Sequence, residues 1–142
     1  MQGRAVVFKD NISVGGIPLT CGTFPTFLGK SEEHRLSTIN ATVVSRVLRA
    51  GGKVAGTATC ENYSMCALSY SSFTGPVENP WAVGFSTGGS SSGCGALLAV
   101  TAAQKWHAER GLKYDVAEGI ELAVGCDQGG SIRLVSTLDN QS

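Results

Sequence analysis

Charge is sparse in this sequence. Only 15% of the 142 residues are Asp, Glu, Lys or Arg, and the two signs balance at 11 each. A basic surface able to neutralise a nucleic-acid backbone is therefore not expected, nor is the high net charge of a disordered tail. So few charges also leave little to cover a small domain, which implies that much of the chain lies inside something larger. Histidine is scarcer still, with only His34 and His107, and no Cys-x-x-Cys pair occurs among Cys21, Cys60, Cys66, Cys94 and Cys126. That combination argues against a zinc site, and five scattered thiols suit a reducing, cytoplasmic setting. No apolar run approaches the length of a membrane span, and the stretch after Met1-Gln2-Gly3-Arg4 is too short for a signal peptide. Internal repeats are lacking as well.

What is plentiful is glycine, 19 residues of it. The most informative cluster is Gly125-Cys126-Asp127-Gln128-Gly129-Gly130-Ser131-Ile132-Arg133, fed by the apolar run Ile120 to Val124. Glycines let backbone N–H groups converge where side chains would block them. A hydroxyl beside such groups has what acyl transfer needs, a nucleophile next to an oxyanion site. Gly-Gly-Ser is also common in ordinary turns, so this cluster alone decides nothing.

Taken in order, Ala5 to Phe8 reads as a short buried strand that delivers Lys9 at its end. Burial there would lower the lysine's pKa and make a neutral amine available as a base; an ordinary solvated lysine is the alternative. Val14 to Pro18 is a turn, and Thr20 to Thr23 and Lys30 to Arg35 are loop. Asn40 is placed to cap a helix from Ala41 to Ala50, with Val43, Val44, Val47 and Leu48 as its apolar stripe and Gly51-Gly52 at its C-terminus. Lys53 to Thr59 follows as a strand, Glu61-Asn62-Tyr63 as a helical turn, and Ser64 to Phe73 as loop. Pro80 to Thr87 makes a poor strand, and Trp81 is expected to be a packing anchor. Gly88-Gly89-Ser90-Ser91-Ser92-Gly93 then leads into a helix through Ala96 to Ala103, so this Ser/Gly loop sits where negative charge is favoured. Lys105 to Glu118 reads as a hydrophilic surface extension, and Leu134 to Ser142 as a tail with no closing element.

The Ser/Gly loop admits three chemistries. A phosphate cradle of the Walker type needs a following Gly-Lys-Ser/Thr, which is missing. A nucleophile elbow fits Gly89-Ser90-Ser91-Ser92-Gly93 by letter, yet needs a strand directly before it and a downstream acid and histidine, for which Glu109 and His107 are poor candidates. The third is a serine that passes protons between a lysine and another serine. Lys9, Ser90 and Ser131 fit that histidine-free form of serine catalysis.

Four segments now converge: Val7-Phe8-Lys9-Asp10-Asn11-Ile12 with Gly16-Ile17-Pro18, Asn79-Pro80-Trp81, Gly88 to Gly93, and Gly125 to Arg133. In this order they resemble the amidase signature family over residues 5–133, with details most similar to fungal-type amidases. The resemblance implies an α/β fold with a mixed β-sheet core flanked by α-helices, only partly present here. It implies a Ser-Ser-Lys triad, with Ser131 as nucleophile, Ser90 as the bridging serine that follows a cis peptide bond in the family, and Lys9 as base. Backbone N–H groups of Gln128, Gly129, Gly130 and Ser131 are then the oxyanion donors, and Asp127 and Arg133 support the loop. The expected activity is hydrolysis of a carboxamide C–N bond in a small-molecule amide through an acyl-enzyme, without cofactor or metal. No nucleic-acid partner or membrane segment is implied, and a homo-oligomer is compatible with the pattern.

The sequence departs from the family in three ways. Ser92 stands where many members have glycine. Residues 105–118 form an insertion, expected to be a surface loop. Resemblance ceases by about Ser136, leaving 134–142 as an atypical tail, so the chain looks like a truncated catalytic core. The alternatives to an amidase proper are an inactive remnant and the amidase component of a tRNA-dependent amidotransferase.

Overall fold

A computed structural model describes residues 1–28, 33–113 and 120–139 of the chain. Its centre is a three-stranded parallel sheet in the order β2-β1-β5, made of β1 (Ala5–Lys9), β2 (Lys53–Ala58) and β5 (Leu122–Val124). β1 pairs with β2 from Ala5↔Lys53 to Lys9↔Ala58, with one irregularity after Val6, and with β5 from Val6↔Leu122 to Phe8↔Val124. Being central and covered on both faces, β1 is a continuous buried run from Val6 to Lys9, as parallel strands require.

Alternation along β1 divides the core. Val6 and Phe8 join Ile12, Val14, Val44 and Val47 beneath helix α2 (Thr42–Arg49). Val7 turns the other way, to Ala58 and Cys94 at the start of helix α3 (Ser92–Glu109), and Lys9 shares its parity. The period of two therefore aims the lysine at the Ser/Gly loop that opens α3.

Several expectations need correction. Asn40 does not cap α2: the N-cap is Ala41 without a side-chain bond, while Asn40 Oδ1 accepts the Gly15 N–H at 2.7 Å and pins the preceding turn. Only Val44 and Val47 of the predicted stripe are buried, and Val43 and Leu48 face outward. The helix end is as read: Gly51 has φ +83°, and the N–H groups of Gly51 and Gly52 reach back to the Leu48 and Val47 carbonyls. A four-residue helix α1 (Pro25–Leu28) lies just before the predicted charged loop, of which residues 30–32 fall outside the described set. The predicted helical turn is a 3-10 turn over Asn62–Ser64.

The segment read as a poor strand does contain one. β4 (Ala82–Ser86) pairs antiparallel with the two-residue β3 (Glu78–Asn79). Its exposed residues and Gly84 at φ +88° removed the alternation that would have marked it. Likewise α3 continues through Lys105–Glu109, the first part of the expected surface loop; residues 114–118 of that loop fall outside the described set. Buried Ala96, Ala99, Val100, Ala103 and His107 form one helical stripe, which the charged neighbours of His107 had masked.

The predicted open tail is also helical. α4 (Arg133–Asp139) buries Val135 and Asp139, and α3 accepts it closely because Gly95 has no Cβ to overlap Val135. Thr87 Oγ1 lies 2.6 Å from both Asp139 carboxylate oxygens, Asn79 Nδ2 donates to the Leu138 carbonyl at 3.0 Å, and Trp81 Nε1 donates to that of Asp139. Trp81, packed edge-on to Trp106, is thus the expected anchor, joining the β3-β4 ribbon to α3 and α4. Among the described residues no helix is long and apolar enough to cross a membrane.

Candidate active site

Three backbone ends meet at the carboxyl edge of the parallel sheet, where ligand sites of such sheets gather. β1 ends in Lys9, β5 runs into the Gly125–Arg133 loop, and α3 begins beside both. Lys9 is wholly buried, and its Nζ donates to Ser90 Oγ at 2.7 Å. Ser90, also wholly buried, follows a cis peptide bond from Gly89, and its Oγ lies 2.8 Å from Ser131 Oγ. Lys9, Ser90 and Ser131 are therefore brought into one line, although 41 residues separate the serines and 81 separate Lys9 from Ser90.

Burial pushes the Lys9 pKa down, because removing water disfavours the ammonium form. Cys60, Cys126, Cys94 and Asp127 pull in the other direction. Burial holds the Cys60 and Cys94 thiols up at about 12, so near neutral pH they are uncharged. Among the described residues Ser90 Oγ is the one hydrogen-bond partner of Nζ, where an ammonium has three protons to place. Desolvation and a single acceptor both favour the neutral amine.

Ser131 is half-buried and faces a cleft of about 560 Å³, walled by Met65, Cys66, Ala67 and Leu134 and floored by Gln128 to Gly130. Asp127 draws the loop tight. Its carboxylate accepts the N–H groups of Gly130 at 2.7 Å, and of Ile132 and Arg133 at 3.1 Å, and pairs with the Arg133 guanidinium at 2.9 Å. Arg133, first among these donors, holds the Asp127 carboxyl well below the usual range. The four N–H groups expected as oxyanion donors differ in their bonding. The Gly130 N–H is committed to Asp127, while those of Gln128, Gly129 and Ser131 make no hydrogen bond among the described residues.

The remaining hydroxyls of the Ser/Gly loop are engaged elsewhere. Ser91 Oγ donates to the Cys126 carbonyl at 3.3 Å, and Ser92 Oγ to Glu61 Oε1 at 3.1 Å. His107 contacts the Pro80 carbonyl at 3.1 Å and lies four turns of α3, roughly 24 Å, from the loop. The elbow arrangement is thereby excluded. Among the described residues no group of three or more His, Cys, Asp or Glu is placed to share a metal ion.

Sequence reasoning gave no role to Glu61, which is buried directly behind the Ser/Gly loop. Asn11, quoted only as part of a motif, bridges two site loops through Ser64 Oγ at 3.1 Å and Cys126 Sγ at 3.4 Å. The available signal was position: both follow closely on the end of a parallel strand, Asn11 after β1 and Glu61 after β2.

Known proteins share this arrangement of elements. The chain is 36% identical over 136 residues to an enantioselective amidase of Rhodococcus rhodochrous, covering 94% of this chain and 22% of that protein. It is 33% identical over 133 residues to a Glutamyl-tRNA(Gln) amidotransferase subunit of Saccharolobus solfataricus, covering 94% of this chain and 23% of that one. The chain thus spans about a fifth of the length of the curated relatives it matches. Among solved structures, 6-aminohexanoate cyclic dimer hydrolase superposes with a TM-score of 0.63 at 26% identity, over 70% of this chain and 20% of that one. The corresponding Glutamyl-tRNA(Gln) amidotransferase subunit of Thermotoga maritima gives 0.58 at 30% identity, over 69% and 21%. Residues 1–105 match the Amidase family, and with the fold and these relatives in agreement the chain belongs to that family.

Proposed function

We propose that this chain carries the reaction centre of an amide hydrolase that cleaves the C–N bond of a small carboxamide, with Ser131 as nucleophile, Ser90 as bridge and Lys9 as base. One observation carries the reading: the unbroken line Lys9 Nζ–Ser90 Oγ–Ser131 Oγ, at 2.7 and 2.8 Å, with its basic end out of water. With Lys9 neutral the same distances serve the reverse polarity, Ser131 O–H donating to Ser90 and Ser90 O–H to Nζ. Ser131 Oγ attacks the carbonyl carbon as its proton passes through Ser90 to Lys9. The developing oxyanion is met by the N–H groups of Gln128, Gly129 and Ser131, each such donor being worth on the order of 3 kcal/mol. Collapse breaks the C–N bond, and the proton held by Lys9 returns through Ser90 to the leaving amine. Water then repeats the sequence on the ester, regenerating Ser131 and releasing the acid. Asp127 and Arg133 hold the loop that carries these donors.

The relay uses side-chain and backbone groups alone and calls on no cofactor. The cleft offers neutral walls, which suit an uncharged acyl group. Cys21, Cys60, Cys66, Cys94 and Cys126 are all free thiols, the state a reducing cytoplasm maintains, and this supports a cytoplasmic setting. Self-association into a homo-oligomer would cover some of the apolar side chains that face outward. The likeness to amidotransferase subunits supports a second reading, in which the amide is glutamine and the product ammonia is passed to a partner.

Covalent labelling tests the relay. A serine-reactive fluorophosphonate read by intact mass is expected to add once to the chain, and to add at least ~100-fold more slowly, or not at all, in Ser131→Ala and Lys9→Ala. An adduct that persists at the parent rate in Ser131→Ala overturns the assignment. Ammonia release from glutamine compared with simple amides separates the two substrate readings.

A further inference from the structure

We propose that Glu61 is a positioning residue of this relay, gripping the chain on both sides of Ser90 so that its hydroxyl stays between Lys9 and Ser131. The inference rests on the hydrolase reading above. Glu61 is 0% exposed and stands just past the end of β2. Its backbone N–H donates to the Ser90 carbonyl at 3.2 Å, and its Oε1 accepts from Ser92 Oγ at 3.1 Å. On the near side Gly89 packs against it so closely that a Cβ there would meet Glu61 Cγ at 2.9 Å. One side chain therefore touches the residue before Ser90 and the residue two beyond it, while its main chain holds Ser90 itself.

The other carboxylate oxygen supplies the anchor. Oε2 accepts the N–H groups of Tyr70 at 3.1 Å and Ser71 at 2.7 Å, and Ser71 Oγ at 2.8 Å. A buried carboxylate is unfavourable unless hydrogen bonds replace its water, and these donors, with Ser92, do so with no cation paired to it among the described residues. No atom of Glu61 bonds to Lys9 Nζ, Ser90 Oγ or Ser131 Oγ, so it acts through the backbone and not by taking a proton. Misplacing a reacting group by about 1 Å is enough to slow a reaction ~100-fold. Ser92 supplies a direct side-chain link between Glu61 and the loop.

Geometry, not charge, is what this role requires, and that makes it testable. In Glu61→Gln the amide oxygen keeps the Tyr70 and Ser71 donors, and the amide N–H₂ turns to Ser92 Oγ, whose proton has the Thr59 carbonyl 3.5 Å away. Fluorophosphonate labelling of the full chain, followed against time and pH, is expected to give Glu61→Gln a rate constant within about 3-fold of the parent, and Glu61→Ala one at least ~30-fold lower. All should reach complete labelling with an unmoved pH midpoint. A merely structural role would lower the fraction of chains that label and leave the rate constant of that fraction unchanged. Because Glu61→Ala can fail to fold, Ser92→Ala severs one link alone and is expected to slow labelling about 5-fold at full extent. Parent-like rates in Glu61→Ala and Ser92→Ala overturn the proposal, as does a Glu61→Gln rate as low as that of Glu61→Ala. A parent chain that takes up no adduct overturns the hydrolase reading itself.

Discussion

Lys9 has two consequences that pull against each other. Buried and desolvated, it is a suitable base, and for the same reason it opposes folding. Its pKa is lowered in the folded chain from an ordinary 10.5, so between the lowered value and 10.5 the unfolded chain holds a proton that the folded chain does not. Stability from this group therefore rises with pH across that window, and the penalty is full below it. Lys9→Met, which fills the space without a charge, is expected to abolish labelling while raising Tm by about 3 °C or more at pH 6. That advantage should shrink as pH rises towards 10.5; thermal unfolding of both proteins at pH 6 and at alkaline pH checks it. Over the same range the parent's labelling rate should climb as the neutral amine accumulates.

At the level of elements, the informative contact is α4 against the β3-β4 ribbon. Asp139 is buried with Thr87 as its one side-chain donor among the described residues, and burial raises its pKa to about 6 from an ordinary 3.8. Here the folded chain binds the extra proton, so this group's contribution is full below pH 3.8 and is lost as pH rises through 6. The loss is on the order of 2–3 kcal/mol. Asp139→Asn keeps an acceptor for Thr87 and removes the charge. Its Tm is expected to exceed the parent's at pH 8 and to approach it at pH 4.5, with scanning calorimetry as the measurement. A parent that gains stability from pH 4.5 to 8 relative to the variant would contradict the assignment. The helix itself was hidden in the sequence because its buried positions, Val135 and Asp139, include a carboxylate that reads as surface.

For the whole molecule, the balance between buried and exposed apolar surface is unusual. Met65 is 86% exposed and Phe85 70%, with Ile39, Tyr70, Leu36 and Val83 all above half. Among the described residues β2 and β5 each have one unpaired edge. Exposed apolar surface and open parallel edges favour association. The chain on its own is therefore expected to bind an apolar dye and to sediment as larger species as concentration rises. Monomeric behaviour at all concentrations without dye binding would show that these side chains are accommodated within one chain.

Much of the site was legible because its chemistry is written in short local patterns. An apolar run ending in lysine, a glycine-flanked serine loop before a helix, and a second glycine loop after a strand each declare themselves within a few residues. Their local settings offered Lys9, Ser90 and Ser131 as candidates, which the family resemblance then joined into one triad, and spacing placed the C-terminal glycines of α2, because φ freedom and hydrogen-bonding capacity belong to the residues themselves. What only the tertiary structure decided is whatever depends on two distant segments meeting. Glu61 becomes a grip on Ser90 only when the 70–71 loop and the start of α3 close around it. Asn40 gives up its cap because Gly15 offers a competing N–H. The Gly130 N–H turns to Asp127 because that carboxylate folds back onto the loop. β4, the end of α3, and α4 owe their form to packing against one another around Trp81, where exposed or charged residues carry no periodic signal. Which partner a hydrogen-bond donor finds is settled by the fold.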